Sequence, residues 1–358
     1  MMSIKPTDKS IEMIVDDINK GIAIDDLAFQ KKKWEEEKVY GAQFSFVVFS
    51  EHDFLNIEFK DCMFMGVIFD NCTFHSCVLQ QVNFVLCRFE NCRFIDSTFK
   101  TVNLANGHLL SSEFMNVEIQ ESNFAGLDAL DIAFSDSKIE RVVFDKTDKC
   151  SLKFENSETV QLILMSFNFE SLNFKNTNFE NLIAFESTAS KGYEFKNLNL
   201  NKVQFTDSQL SGVDFQGSDL SQASFKGCNL KGANFSSCNL KYALLLDADL
   251  EGVNFTKTDL SNANLSGSNA KGACFIDAIM NATIINKTDL SSASFDGANL
   301  HFADLSYSNI DEATFDDVNF HRTKVHLVIN DTANIGSRRG CLGTDNDLKE
   351  ADLWLTKD

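Results

Sequence analysis

The sequence is short of proline, of large aromatic residues other than Phe, and of basic charge. Its 358 residues include one Pro, two Trp and four Tyr, and 52 acidic side chains stand against 32 basic ones, which gives a formal net charge of −20. A chain this acidic lacks the Lys and Arg that neutralise phosphates, which argues against direct binding of nucleic acid. It has no apolar run long enough to span a membrane, and residues 1–10 lack the apolar core of a signal peptide. We therefore expect a cytoplasmic protein without a membrane partner.

Sequence signatures of catalysis and of cofactor binding are also missing. The six His are scattered, with no HExxH motif, and no GxGxxG or GxxxxGK[ST] motif is present. The ten Cys form no paired CxxC motifs, which indicates reduced thiols in a reducing compartment. We therefore predict no catalytic residue, no cofactor and no metal site, and a protein that is not an enzyme.

What the sequence does contain is 34 Phe, most of them in a five-residue repeat. From Phe44 to Phe179 nearly every fifth residue, here called the centre of a unit, is Phe, Leu or Ile. After a slip of one residue between about 179 and 195, the centres fall on multiples of five from Phe195 to Phe320. Lys149 and Thr159 stand at centre positions but are not Phe, Leu or Ile. We therefore expect bulges or loops in residues 145–162, around these two positions, and in residues 180–194, around the slip.

The repeat also predicts which side chains face inward. The residue two before each centre is small or β-branched. In an extended chain, side chains two residues apart point to the same side. Hence the centre and this residue point inward, the residue between them points outward, and the next two turn a corner. Several Gly lie two after a centre, where a tight turn favours them. His52 occupies an inward position near one end, an exception for which the sequence offers no reason.

Four such units close one coil. From Phe205 to Leu240 the centres alternate strictly between Phe and Leu. With this alternation, Phe stacks on Phe and Leu on Leu in successive coils only if the number of walls is even. Four right-angled corners close a square in twenty residues. With coils about 4.8 Å apart, the repeat predicts a rod on the order of 65 Å long.

The units resemble those of pentapeptide repeat proteins, whose loose consensus is A(D/N)LXX. Ala233-Asn234-Phe235-Ser236-Ser237 and Ala303-Asp304-Leu305-Ser306-Tyr307 match it directly. The resemblance covers residues 42–322 and implies an all-β solenoid, a right-handed quadrilateral parallel β-helix.

We expect a cap at each end of the repeat. In residues 1–41, Ile11, Ile14, Val15 and Ile18 have helical spacing, Gly21 ends that helix, and Leu27, Phe29 and Trp34 sit in a second helical stretch. In residues 323–358, a last strand near 325–329 precedes a short helix with Asp347 as its N-cap. The N-terminal helices cover the first coil or, alternatively, dock a partner. Relatives often dimerise through a C-terminal helix, and for this short polar tail the question of a homodimer stays open.

Outward columns of residues twenty apart supply the candidate contacts. Apolar columns contain Leu55, Ile95 and Met115 on one wall, Met65 and Val85 on the opposite wall, and Tyr242 and Phe302 at a corner. Exposed apolar stripes mark contact surfaces, although these also fit corner packing or a surface under the caps. Acidic residues concentrate in two groups. The first runs from Glu113 to Glu140, and the second contains Asp296, Asp304, Asp311, Glu312, Asp316 and Asp317.

These features favour a non-enzymatic scaffold that binds a protein partner, whose identity the sequence does not give. The resemblance implies two alternatives. One is an acidic DNA mimic that occupies the DNA groove of a type II topoisomerase such as gyrase, and the other is a secreted bacterial effector that uses the repeat as a binding platform.

Overall fold

Twenty residues make one coil, and each coil pairs in parallel with the next. The computed structural model describes residues 5–7, 9–30, 32–145, 150–330, 332 and 340–355. The chain divides into two units, Met1–Ile183 and Ala184–Asp358, each a four-walled parallel β-solenoid. The predicted all-β solenoid is therefore confirmed.

In the first unit the walls are columns of short strands. Wall 1 contains Ile24–Asp25, Gln43–Ser45, Met63–Met65, Asn83–Val85, Asn103–Ala105 and Asn123–Ala125. Wall 2 contains Lys5–Pro6, Leu27–Gln30, Val48–Ser50, Ile68–Asp70, Arg88–Glu90 and His108–Leu110, and wall 3 contains Lys33–Glu35, Asp53–Leu55, Thr73–His75, Arg93–Ile95, Glu113–Met115, Cys150–Glu155 and Leu172–Lys175. Wall 4 contains Lys38–Tyr40, Glu58–Lys60, Val78–Gln80, Thr98–Lys100, Glu118–Gln120 and Asn178–Glu180. Three longer strands, Asp128–Ser135, Lys138–Asp145 and Glu158–Met165, run across a corner, a 3₁₀ helix spans Phe169–Ser171, and one more strand is Ile183–Phe185.

The second unit has the same twenty-residue register with tighter corners. Its walls pair through single bridges at the residue before each centre, such as Asn234 with Asn254 and Asp249 with Asn269. The predicted alternation holds, because the buried Phe centres lie on two opposite walls and the Leu centres on the other two from Phe205 to Leu240.

The spacing of coils explains the preference for Phe. Rings at equivalent positions of successive coils are held about 4.8 Å apart by the strand spacing, which is close to the separation that stacked aromatic rings prefer. On wall 3 the centroids of Phe54 and Phe74 are 4.5 Å apart, and those of Phe74 and Phe94 are 4.8 Å apart. In the second unit one ladder of stacked rings runs from Phe195 to Phe315.

Small polar residues at the inward position two before a centre are bonded within the core. The Ser97 hydroxyl donates to the Phe74 carbonyl, and the Thr258 hydroxyl donates to the Phe235 carbonyl at 2.6 Å. The Cys72 thiol makes the same contact with the Phe49 carbonyl at 3.3 Å. These bonds allow Ser, Thr and Cys to be buried without the cost of an unpaired polar group.

The predicted irregularities have different structural forms. Thr188 pairs with Gln209, 21 residues on, whereas Glu194 pairs with Asp214, 20 residues on, so the extra residue of the frame slip lies in the turn between them. Thr159 is a buried centre within a strand. Lys149 lies outside the described residues, and the register there shifts so that Ala129 pairs with Cys150.

The N-terminal region has one helix, and the predicted second helix is wrong. The helix Ile11–Asn19 is capped by the Ser10 hydroxyl, which accepts from the Met13 amide, and it buries Ile14. The amide of Gly21, at φ +72°, closes its end on the Ile18 carbonyl at 2.8 Å. Residues 24–30 and 32–40 contain strands instead, because Ile24, Phe29, Trp34 and Val39 are already centres five apart, and their backbones pair with the next coil.

The C-terminal helix Asn346–Leu355 is present, but Asp347 is not its N-cap. The Asp345 carboxylate accepts from the Leu348 amide at 3.1 Å, so Asp345 caps the helix and Asp347 lies in its first turn. No helix among the described residues is long and apolar enough to cross a membrane.

Candidate binding surfaces

The Leu55 column is arranged as the sequence predicts. Leu55 pairs with His75, His75 with Ile95, and Ile95 with Met115, all on wall 3. Leu55 and Ile95 are half-buried, and Met115 is 41% exposed. Leu55 and Ile95 also line a groove of about 270 Å³, which is further lined by Lys33, Asp53, Phe54, Thr73 and His75. The groove therefore offers an apolar floor between exposed side chains.

A polar ladder borders this column. The Nδ2 group of Asn116 donates to the Asp96 carboxylate at 2.7 Å, and Nε2 of His75 lies 3.1 Å from its other oxygen. These two partners lower the pKa of Asp96 below its ordinary value, and the hydrogen bond from Asn116 contributes the larger part. Asp96 is thus a fixed anion beside the groove.

Met65 and Val85 belong to a larger apolar surface than the sequence indicates. They stack on wall 1, where Met65 pairs with Val85. The adjoining corner adds Phe46, 48% exposed, and Leu86, 60% exposed, and Met63 beside Met65 is 36% exposed. We call Phe46, Met63, Met65, Val85 and Leu86 the Met65 patch.

Phe46 and Leu86 also lie two after a centre, but the sequence analysis misses them because Gly66 separates them in their column. The signal was available, since an apolar residue at a left-handed turn position has no inward role. Phe46 and Leu86 have φ values of +54° and +55°. Between them lies Gly66, and a Cβ there would come within 2.9 Å of the Phe46 ring. The glycine therefore lets the Phe46 ring lie flat along the corner.

Tyr242 and Phe302 share a corner of the second unit. Backbone bonds stack Tyr242, Asn262, Ala282, Phe302 and Arg322 one coil apart. Tyr242 is 59% and Phe302 48% exposed, and the Arg322 guanidinium lies 5.4 Å from the centre of the Phe302 ring. Asn262 and Ala282 separate the two aromatic rings, so the predicted column is interrupted.

The second acidic group is spread over several sides of its unit. Asp311 and Glu312 turn one corner and Asp316 and Asp317 turn the next, while Asp304 lies on a third wall, 3.9 Å from the Lys324 ammonium. The Asp316 amide donates to the Asp296 carboxylate at 3.0 Å, and this bond is the main cause that lowers the pKa of Asp296. The first group is partly paired, for example Glu121 with Arg141 at 2.9 Å.

Outward Asn and Asp residues bond along the columns. Nδ2 of Asn234 donates to Asp214 at 2.9 Å, and Nδ2 of Asn254 donates to Asn234 at 3.1 Å. The same carboxamide oxygen of Asn234 accepts from the Ser236 amide, which fixes the turn. These side chains brace the coils and are not arranged as an acid and a base.

Titratable groups do not gather into a metal or catalytic centre in the part of the chain that the structure describes. No group of three or more His, Cys, Asp or Glu is placed to hold a metal ion there. None of the ten Cys forms a disulfide bond, and eight are buried. Burial raises the pKa of Cys87, Cys228 and Cys238 to about 12. These thiols behave as small core residues.

His52 is fully buried against aromatic rings at the N-terminal end of the first unit. Among the described residues neither ring nitrogen has a hydrogen-bond partner, and the Nε1 group of Trp34 lacks one too. Burial, followed by the charge of Lys32, lowers the pKa of His52 to about 4. The imidazole is thus a neutral core group at neutral pH.

Two models of pentapeptide repeats match the sequence. A pentapeptide repeat region matches residues 67–144 and 199–275, and eight copies of pentapeptide repeats match residues 283–322. Together they cover more than half of the chain. No curated protein sequence matches it.

Solved structures with similarity to the chain include other repeat proteins. A trypsin-treated form of QnrB1, a plasmid-mediated fluoroquinolone resistance protein, is 18% identical with a TM-score of 0.34, and the match covers 55% of this chain and 96% of that one. HetL from the cyanobacterium Nostoc, involved in regulating heterocyst differentiation, is 14% identical with a TM-score of 0.19. The match covers 81% of this chain and 96% of HetL. A pentapeptide repeat protein of the Arabidopsis thaliana thylakoid lumen is 29% identical with a TM-score of 0.19. The match covers 28% of this chain and 64% of that protein.

Proposed function

Because the chain belongs to the pentapeptide repeat family, we propose that it is a non-enzymatic, cytoplasmic scaffold that binds a protein partner through the side walls of its first unit. The observation that carries this proposal is the Met65 patch, where four of five apolar side chains are at least 36% exposed. Contiguous exposed apolar surface with a polar rim is typical of protein contact sites. Met and Phe are also enriched at the centres of such interfaces.

The Leu55 column supplies a second contact in the same unit. Its groove lies on wall 3, opposite the Met65 patch, so two partners, or two arms of one partner, reach the unit from opposite sides. Leu55, Ile95 and Met115 are the contact residues proposed there.

The proposal is tested by single charge insertions in the full-length protein. Met65→Glu and Ile95→Glu each place a carboxylate in one surface, and Thr101→Glu is the matched control at an exposed corner of the same unit. Proteins cross-linked to each variant in cells are compared by mass spectrometry. We expect Met65→Glu or Ile95→Glu to remove a defined partner that Thr101→Glu retains. Identical partner sets for all three variants, with unchanged thermal unfolding, would refute the proposal.

A second candidate function is the acidic DNA mimic, favoured by the net charge of −20 and by the exposed acidic corners. In this case Asp304, Asp311, Glu312, Asp316 and Asp317 face a basic groove of a type II topoisomerase. The test is DNA supercoiling by purified gyrase with increasing amounts of the protein. The mimic predicts inhibition that weakens with salt and is lost in the Asp304→Asn, Asp311→Asn, Asp316→Asn triple variant but not in Ile95→Glu. No effect at micromolar protein would leave the scaffold role alone.

A further inference from the structure

One corner of the second unit differs in charge from the rest of this acidic chain. It follows the centres Leu240, Leu260, Met280, Leu300 and Phe320, and we call it the basic corner. Its outward cations and imidazoles are Lys241, His301, His321, Arg322 and Lys324. Its outward carboxylates are Asp259 and Asp304, each next to one lysine.

Apolar side chains lie along the same corner. Tyr242 is 59%, Phe302 48%, Leu244 43%, Ile279 41% and Ile284 39% exposed. Ile279 and Ile284 flank the corner in a single coil, and Phe302 lies one coil further along. The corner therefore combines apolar anchor points with positive charge over three consecutive coils.

The polar side chains of the corner contact aromatic rings or carboxylates. The His301 and His321 rings are 5.0 Å apart, and His301 lies 4.3 Å from the Phe302 ring. The Arg322 guanidinium covers the face of Phe302, while Lys241 and Lys324 have carboxylate partners at 3.1 and 3.9 Å. Arg322 is exposed and forms no ion pair with any described residue, and its guanidinium carries five N–H donors.

We propose that the basic corner binds an acidic segment of a partner protein that carries aliphatic or aromatic anchors. The carboxylates of that segment meet Arg322 and His321, and its apolar side chains cover Phe302, Ile279 and Ile284. A guanidinium with free donors pairs carboxylates bidentately, which gives geometric specificity as well as affinity. The net charge of −20 does not prevent this contact, because exposed charges further away than about 8 Å are largely screened at physiological salt.

The chemistry of the corner favours a protein over a nucleic acid. Tyr242 and Phe302 offer rings on which bases could stack, but Ile279, Ile284 and Leu244 do not, and two of the three permanent cations have carboxylate partners. Nucleic-acid affinity needs several uncompensated cations. This surface is independent of the Met65 patch and of the Leu55 column, and it is tested with variants that touch neither.

The experiment measures binding of a labelled peptide to the full-length protein at 150 mM salt by fluorescence anisotropy. The probe is a fluorescein-labelled twelve-residue peptide in which glutamate alternates with leucine and phenylalanine, and the control peptide has lysine in place of glutamate. Arg322→Glu and Phe302→Ser test the corner. Lys257→Glu and Ile276→Ser are matched controls at other positions of the same unit.

We expect the acidic peptide to bind at least tenfold more tightly than the lysine peptide. Arg322→Glu and Phe302→Ser should each weaken binding at least fivefold, and the two controls should not change it. The proposal is overturned if the acidic peptide does not bind, if the control variants weaken it equally, or if labelled oligothymidylate binds more tightly and loses affinity in Arg322→Glu. It is also overturned if sedimentation shows a dimer that Phe302→Ser dissociates, since a second copy then occupies the corner.

Discussion

The imidazole of His52 and the indole of Trp34 meet edge to face, with ring centroids 5.3 Å apart and an interplanar angle of 89°. Phe49 and Phe54 complete the enclosure at 5.4 and 4.7 Å from the imidazole. A charged imidazole in this cluster has no compensating anion among these rings. Its protonation is therefore opposed by the fold itself.

This arrangement predicts that the stability of the first unit falls in acid. The pKa of His52 is lowered to about 4, so the unfolded chain binds a proton more readily than the folded one as the pH falls from about 6.5 to 4. His52→Val removes the effect. We expect the variant's gain in unfolding free energy to be about 3 kcal/mol larger at pH 4 than at pH 7. Denaturant unfolding of both proteins at the two pH values measures the difference, and equal gains would contradict it.

A buried ring that packs edge to face against the aromatic ladder should be costly to remove. Phe225 is fully buried, with Phe215 at 5.6 Å and Phe235 at 5.4 Å, so Phe225→Ala leaves a cavity in the core. We expect a loss of about 3 to 5 kcal/mol in unfolding free energy. Phe302→Ala, at an exposed position, serves as the control and should cost less than about 1 kcal/mol. Equal losses would mean that the inward register is wrong.

At Gly107, an inward position two before a centre, the backbone leaves no room for a side chain. A Cβ built there would lie 2.2 Å from the Cys87 carbonyl oxygen, a backbone atom that the coil spacing holds in place. Gly107→Ala should lower the unfolding free energy by about 3 kcal/mol. Gly343, where a Cβ meets nothing within 4 Å, is the control and should tolerate Ala to within about 0.5 kcal/mol. Thermal unfolding of the two variants distinguishes them.

Burial also predicts which thiols react. The eight buried Cys are shielded, and the pKa of Cys62 and Cys77 is raised to about 11 by burial, so little thiolate forms at pH 8. Only Cys274 and Cys341 are partly exposed. We expect about two thiols per chain to react with a disulfide reagent in the native protein and ten in denaturant. Labelling that persists in the native Cys274→Ser, Cys341→Ser variant would show that the core opens.

The repeat could be predicted from the sequence because each unit obeys the same local rule. Period five places Phe225 inward regardless of what surrounds it, and the alternation of Phe and Leu determines the number of walls. The sequence favours a helix at Trp34 because Leu27, Phe29 and Trp34 also fit a helical spacing when the neighbouring coil is ignored. The Met65 patch could not be found by reading columns alone, since Phe46 and Leu86 join it across a corner. The unpaired nitrogens of His52 depend on rings from two successive coils, Phe29 and Trp34 in one and Phe49 and Phe54 in the next.

The twenty-residue register sets a length scale for any partner. Outward side chains in a column recur about every 4.8 Å, while an α-helix repeats every 5.4 Å and the same face of an extended strand about every 6.6 Å. A helix laid along a column drifts by about 0.6 Å per coil and is half a step out of phase after four coils. The Met65 patch extends over three coils and the apolar residues of the basic corner, from Tyr242 to Phe302, over four, so neither goes beyond this limit. The solenoid thus acts as a ruler whose marks a binding partner can follow only briefly, which favours several short contacts over one long one.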